Sequence, residues 1–446
     1  MNLPLSRRTL LKSAALGVAA LSTSGALRRS RAAERPKFND AIDAAWQAGL
    51  ESLKPSSAEL DRGLALHAES LVFDCYGFSP RCAIDGEAVA AAAAAGASDN
   101  ELADMREEMG MIRCVVDPRE RAEFEIAWRA AGVTCIFQNA GEEGQSPLRL
   151  LKRLGRFTYI TDHLRDFVSK AATPDDIEAA KRAGRRCLYF TGNGVPLAAQ
   201  FESVPEELQY VRLFYQLGIR MMHVTYNRRN LLGDGCAEPA NGGLSDFGRA
   251  AIAEMNRVGI IVDVAHSGWR TSLEAAQASS KPIVASHTAC DAVNHHIRAK
   301  PTEVIKAIVD GGGLVGICCI ADFLGGKGDL QAMLDHIDYV AKRFGTEHVG
   351  IGTDIGYTSA NAAAENRKAG GSRGPRRTRY EALWPDGALG NPFPGRASLA
   401  WTNWPLFTVG LVQRGYKDDE IRQILGLNML RVARAVQPEN AGGKGT

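Results

Sequence analysis

The chain has 446 residues, 45% hydrophobic and 23% charged, enough apolar material for a large buried core. Its 53 Lys and Arg nearly balance 51 Asp and Glu, which leaves no basic footprint for nucleic acid. Beyond the N-terminus no apolar run reaches the roughly 18 residues that a bilayer span needs, so no transmembrane helix is expected in the mature chain.

The N-terminal segment Ser6-Arg7-Arg8-Thr9-Leu10-Leu11-Lys12 places two arginines ahead of the apolar stretch 14–21, with Ala26 and Ala32 as cleavage points. This pattern is similar to a twin-arginine export signal over 1–32, implying the twin-arginine machinery and a periplasmic or secreted product. A Sec signal or an uncleaved anchor is the alternative. Residues 1–32 hold six basic and no acidic residues, so without them 47 basic residues stand against 51 acidic, near −4. The nine cysteines are odd in number and include no CxxC, and Cys135, Cys187, Cys318 and Cys319 lie in apolar runs. Neither a disulfide framework nor a zinc ribbon is indicated.

Residues 33–70 read as a helical extension ahead of a barrel over 71–446. Eight strand-like runs follow, at 71–73, 133–138, 186–190, 219–226, 260–266, 282–287, 313–319 and 348–354. Helical patterns separate them. Leu330, Met333, Ile337, Val340 and Phe344 form one face ended by Gly345, Pro301 opens a helix that stops at Gly311, and Thr271 with Glu274 makes a capping-box pattern. This alternation predicts an α/β fold, a (β/α)8 TIM barrel, rather than an antiparallel fold. A doubly wound open sheet ranks behind it because no GxGxxG follows the first strand.

Two excursions interrupt the rhythm. One covers 79–113 and carries the alanine-rich stretch 88–97, expected as a surface helix. The other covers 357–398 and carries Arg367, Lys368, Arg373, Arg376, Arg377 and Arg379. It reads either as a basic lid over the barrel mouth or as a solvated loop.

Three strand-like runs end on metal-binding or acid–base side chains: His266, His287 and Asp354. A (β/α)8 barrel builds its chemistry at these carboxyl ends, so the pattern suggests a metal-dependent enzyme.

The segments Asp263-Val264-Ala265-His266-Ser267, Ala285-Ser286-His287-Thr288 and Gly350-Ile351-Gly352-Thr353-Asp354 occur in order. They are followed by Arg414-Gly415-Tyr416 and Ile424-Leu425-Gly426-Leu427-Asn428-Met429-Leu430-Arg431. From about residue 71 onward the sequence resembles the membrane (renal-type) dipeptidases, peptidase family M19. The resemblance implies an amidohydrolase-type barrel, usually with two zinc ions. It implies that His266 and His287 bind one metal, that Arg298 holds the substrate carboxylate, and that Asp354 acts on the nucleophilic water.

The sequence departs from the family pattern elsewhere. Tyr76 and Phe78 stand where a histidine and an aspartate would serve the other metal, Gly192 where a bridging glutamate would stand, and Tyr226 where a histidine would polarise the substrate carbonyl. His223 lies three residues before Tyr226, inside the expected strand. One zinc, held by His266, His287 and Asp354 and completed by water, is therefore expected rather than two. Tyr226 could donate to a developing oxyanion. His295 and His296 read as solvated, and Glu142 or Glu143 could reach the vacated metal position.

Three readings stay open: an exported metallohydrolase of dipeptides or a related small amide, an enzyme on the same scaffold that tailors a peptide-derived product, and a non-catalytic periplasmic binding protein. The substrate is a small molecule or dipeptide in the first two, and a homodimer is compatible with all three.

Overall fold

Among the described residues, ten short strands, buried along most of their length, all pair in parallel. They are β1 (Phe73–Gly77), β2 (Cys135–Asn139), β3 (Val168–Lys170), β4 (Arg186–Gly192) and β5 (Ile219–His223), then β6 (Ile261–Asp263), β7 (Val284–Cys290), β8 (Ala299–Lys300), β9 (Leu314–Ile317) and β10 (Val349–Ile351). The computed structural model describes residues 37–141, 146–200, 202–370 and 383–438. The export-signal segment, Glu142, Glu143 and the loop residues Arg373, Arg376, Arg377 and Arg379 lie outside the described residues.

Hydrogen bonding runs in the order β1-β2-β4-β5-β6-β7-β9-β10, with β3 attached to β4 and β8 to β7. Backbone bonds from Asp354 N to Tyr76 O (2.9 Å) and from Phe78 N to Ile355 O (3.2 Å) bring the first and last strands together. The result is a nearly closed eight-stranded barrel surrounded by helices, a TIM barrel. The eight expected runs are its eight strands, and β3 and β8 were not anticipated.

The barrel interior is filled by Phe73, Phe137 and Tyr189 in mutual ring contact, with Cys135, Cys187, Met221, Ile261, Val284 and Leu314. The C-terminal helix Asn428–Val436 closes one end with Met429, Leu430 and Val432. The helix Leu330–Phe344 buries Leu330, Met333, Ile337 and Val340, as its periodicity predicts, and Pro301 caps the helix Thr302–Asp310. Ahead of the barrel run the helices Asp40–Leu53, capped by Asn39, and Ser57–Glu69, opened by a Ser56/Glu59 capping box. Gly63 on the second lets the helix Trp404–Gln413 approach closely, since a Cβ there would fall 2.7 Å from Val409 Cα. Among the described residues no helix is long and apolar enough to cross a membrane.

Three details differ from expectation. Thr271 does not cap its helix: Trp269–Ala278 begins at Gly268, and Thr271 donates to Asp234 O at 2.8 Å. The first strand continues to Gly77, which places Tyr76 inside the barrel wall. The β5 strand stops at His223 rather than Tyr226, because the chain turns through Asn227 at φ 47°. Val224-Thr225-Tyr226 has strand-favouring residues but not strand geometry, so His223 is the true strand end.

Candidate active site

At the carboxyl ends of the strands, His223 closes β5, His266 follows β6 by three residues, and His287 sits within β7. Each of the three offers a ring nitrogen within 4.8 Å of the others', and all three are buried. Asp354 is outside this group, so the three-ligand set expected with it is corrected to one that includes His223.

Hydrogen bonding fixes how these rings present themselves. Nδ1 of His223 meets Gly192 O at 2.9 Å, and Nδ1 of His266 meets Asn227 Oδ1 at 2.7 Å. Nδ1 of His287 meets Ser286 Oγ at 2.8 Å, while that hydroxyl donates to Asp263 Oδ2. Each partner accepts, so each Nδ1 carries the proton and each Nε2 keeps its lone pair. His266 Nε2 and His287 Nε2 are 3.0 Å apart, His266 Nε2 also accepts from Arg298 at 3.1 Å, and His223 Nε2 is 3.0 Å from Asp263 Oδ2 without a hydrogen bond. Burial, then the nearby Arg298 cation, holds His266 and His287 well below the ordinary imidazole value, and burial also lowers His223. At neutral pH the cluster is therefore three neutral imidazoles beside the Asp263 side chain. It is electron-rich and suits a cation.

This donor set fits one divalent metal ion. Oxygen partners on the far nitrogens are what orient metal-binding imidazoles. A second ion does not fit. Tyr76 is fully buried, hydrogen-bonded to Asn193 and held well above the ordinary phenol value by burial. Its ring stacks on His287 with centroids 3.9 Å apart, while Phe78 meets it edge-on and Gly192 offers no side chain.

A cavity of about 370 Å³ opens above the cluster. Tyr76, Tyr226 and His266 face it, with Asp354, Asn193 and Gln138 as polar groups and Phe78, Phe323 and Trp384 as aromatic walls. Tyr226 stacks on His266 at 4.0 Å. Asp354 adopts a left-handed φ of 56°, a conformation that costs a non-glycine residue about 1–3 kcal/mol and often accompanies function. The excursion after β1 is more than a surface helix. Its helix Asp99–Val116 supplies Glu107, Gly110 and Met111 to the cavity wall, where Glu107 binds Arg153 at 2.6 Å.

Arg298 is not among the lining residues. It is fully buried, donating to Ala265 O, to His287 O (3.2 Å) and to His266 Nε2 (3.1 Å). In this arrangement its guanidinium bridges strand ends rather than facing a ligand. His295 is exposed against Asp291, and His296 meets Ala388 O at 3.0 Å, both away from the cluster.

The model of the membrane dipeptidase family, peptidase family M19, matches residues 126–368. The chain belongs to this family. Among M19-like relatives, the dipeptidase verJ of Clonostachys rogersoniana is 27% identical over 275 residues, 61% of each chain. The dipeptidase tcpJ of Claviceps purpurea (strain 20.1) is 25% identical over 285 residues, 63% of this chain and 58% of that protein. The match thus spans about three fifths of the curated relatives' length. The crystal structure of an amidohydrolase from Pseudomonas aeruginosa is 27% identical with a TM-score of 0.61, covering 84% of this chain and 99% of that one. Tyr76, Phe78 and Tyr226, which the sequence reading set apart from the expected metal ligands, all line the cavity. Of the residues that sequence reasoning did not assign to the site, His223 was hidden by an overlong strand, and Asp263 and Ser286 by lying one step behind the ligands.

Proposed function

We propose that this protein is an exported, metal-dependent hydrolase that cleaves dipeptides or a related small amide. The observation carrying the proposal is the convergence of His223, His266 and His287, each with Nδ1 bound to an oxygen, beside a cavity holding Asp354 and Tyr226. The three histidines would hold one ion, and zinc suits a set of three protein ligands with an open fourth position. Bound there, zinc would supply Lewis acidity and bring the pKa of a bound water to about 7. Asp354 then takes the proton of the attacking water and returns it to the leaving amine. Tyr226 donates a hydrogen bond to the developing oxyanion. Asn193 and Gln138 bring polar groups to the cavity wall, and Phe78, Phe323 and Trp384 form its aromatic side.

The test is metal content by elemental mass spectrometry beside a dipeptide panel assayed with and without chelator. About one equivalent of zinc, lost in His223→Ala and retained in Asp354→Asn, with chelator-sensitive hydrolysis in the wild type, is expected. Absence of metal, or a metal-loaded protein inert across the panel, would overturn the proposal. Export is tested by comparing the wild-type leader with Arg7→Lys/Arg8→Lys, which should retain the product in the cytoplasm.

A second reading, tailoring of a peptide-derived product, draws on the aromatic side of the cavity, where Tyr76, Phe78 and Trp384 favour a flat or cyclic substrate over an extended dipeptide. It predicts turnover of such an amide with simple dipeptides ignored, and full activity in Tyr226→Phe would sink it.

A further inference from the structure

Cys82 and Cys114 meet where two segments of the cavity wall are clasped together. Cys82 lies in the loop after β1, and Cys114 lies in the helix Asp99–Val116. The backbone N–H of Cys82 donates to Gly110 O at 2.9 Å, and the Cys82 Sγ accepts from the N–H of Cys114 at 3.1 Å. One residue of the loop thus touches both ends of a single helical turn. This contact holds the Cα of Cys114 within about 4.6 Å of the Cys82 sulfur, given an N–Cα bond of about 1.46 Å. Arg113, beside Cys114, donates to Ala83 O (2.9 Å) and Ile84 O (2.5 Å), so the loop is held on the same helix face on both sides of the thiols. Both thiols are buried, and contact with the Cys114 thiol, then burial, pushes the Cys82 thiol upward.

We propose that Cys82 and Cys114 form a disulfide that pins the inserted helix to the loop after β1. Arg81 on the loop side and Gly110 and Met111 on the helix side all line the cavity, so the bond would fix the spacing of one wall. The closed segment contains the helix Gly86–Ala94 and most of the helix Asp99–Val116, which pack on each other through Val89 and Leu102. Cys135 and Cys187 also face each other in register on β2 and β4, inside the barrel, so mapping the protected pair tells the two pairs apart. The reaction is thiol–disulfide exchange. One cysteine thiolate attacks a small external disulfide and releases one thiol; the second cysteine attacks the mixed disulfide and releases the other. Two cysteine thiols are oxidised, one external disulfide is reduced, and the two protons leave with the released thiols.

The experiment refolds the full chain in a glutathione redox buffer and, separately, recovers it from an oxidising compartment. Each sample is then denatured and alkylated with and without prior reduction. All nine cysteines should alkylate after reduction and two fewer without it, with a cross-linked peptide containing Cys82 and Cys114. In Cys82→Ser and Cys114→Ala no such peptide should appear and every remaining thiol should alkylate. Limited proteolysis of the folded wild type should cut within 86–116 several-fold more slowly when oxidised than when reduced. Alkylation of all nine thiols without reduction, or mapping of the protected pair to other cysteines, would overturn the proposal.

Discussion

The two sides of the barrel mouth carry opposite chemistry on the same scaffold. On the side of β5, β6 and β7, three neutral imidazoles point their lone pairs at one spot, and each is braced from behind by an oxygen. On the side of β1 and β4, the corresponding strand ends carry Tyr76, Phe78 and Gly192, and the Tyr76 hydroxyl donates to Asn193. The first side can hold a cation without ionising a side chain, once Arg298 gives up its hydrogen bond to His266 Nε2. The second would have to ionise a buried phenol or draw a ligand from an aromatic ring. The geometry therefore favours a cation on the imidazole side and sets an aromatic shelf on the other.

The sharpest way to break this comparison is to remove one imidazole. His266→Ala should lose its metal entirely and lower hydrolysis by at least about 100-fold, read by elemental mass spectrometry and steady-state rates. Tyr76→Phe serves as the counterpart and should keep the metal content of the wild type. A fall in its metal content would show that the β1 side does contribute a ligand.

Removal of Arg298 separates structure from recognition. Arg298→Ala leaves Ala265 O and His287 O without their donor and should cost about 3 kcal/mol or more in denaturant unfolding, at roughly 1–3 kcal/mol per buried group left unpaired. A variant of unchanged stability whose only defect is a raised KM would instead place Arg298 on the substrate, as the family resemblance implies. The bracing oxygens come next in size. Ser286→Ala removes the acceptor behind His287 and should weaken metal affinity about 10- to 100-fold with the fold intact, measured by competition with a chromogenic chelator.

The barrel was legible because each strand is a short apolar run bounded by helical periodicity, and burial of both sheet faces leaves that imprint directly in the sequence. His266, His287 and Asp354 were legible for the same reason, lying in or just beyond such runs. His223 was not. Val224, Thr225 and Tyr226 extend the strand pattern, and only the left-handed turn at Asn227, which several residue types can adopt, shows that the strand has already ended. The Asp263–Ser286–His287 chain was invisible because it is a contact across two strands, and sequence spacing carries no record of which hydroxyl faces which carboxylate. The buried setting of Arg298 was hidden likewise, since an arginine in a polar loop reads the same whether its head faces a ligand or three strand-end acceptors.

A smaller effect tests whether burial alone accounts for the imidazole behaviour at the mouth. His67 is as buried as the cluster but lies apart from it, with Nδ1 against Thr408 Oγ1 at 2.8 Å and Nε2 against Ala131 O at 2.9 Å. Burial lowers its pKa to about 4. Because the unfolded chain takes up the proton near pH 6.5 and the folded chain only near 4, acid draws the equilibrium toward unfolding through that interval. Stability should fall by about 1 kcal/mol from His67 between pH 7 and 5.5, and the His67→Gln variant should lack that part of the slope. Denaturant titrations of metal-loaded wild type and variant at both pH values isolate the term, because the cluster contributes equally to each. Identical slopes would mean that His67 takes up no protons on unfolding in this range, and that burial by itself does not set imidazole protonation in this barrel.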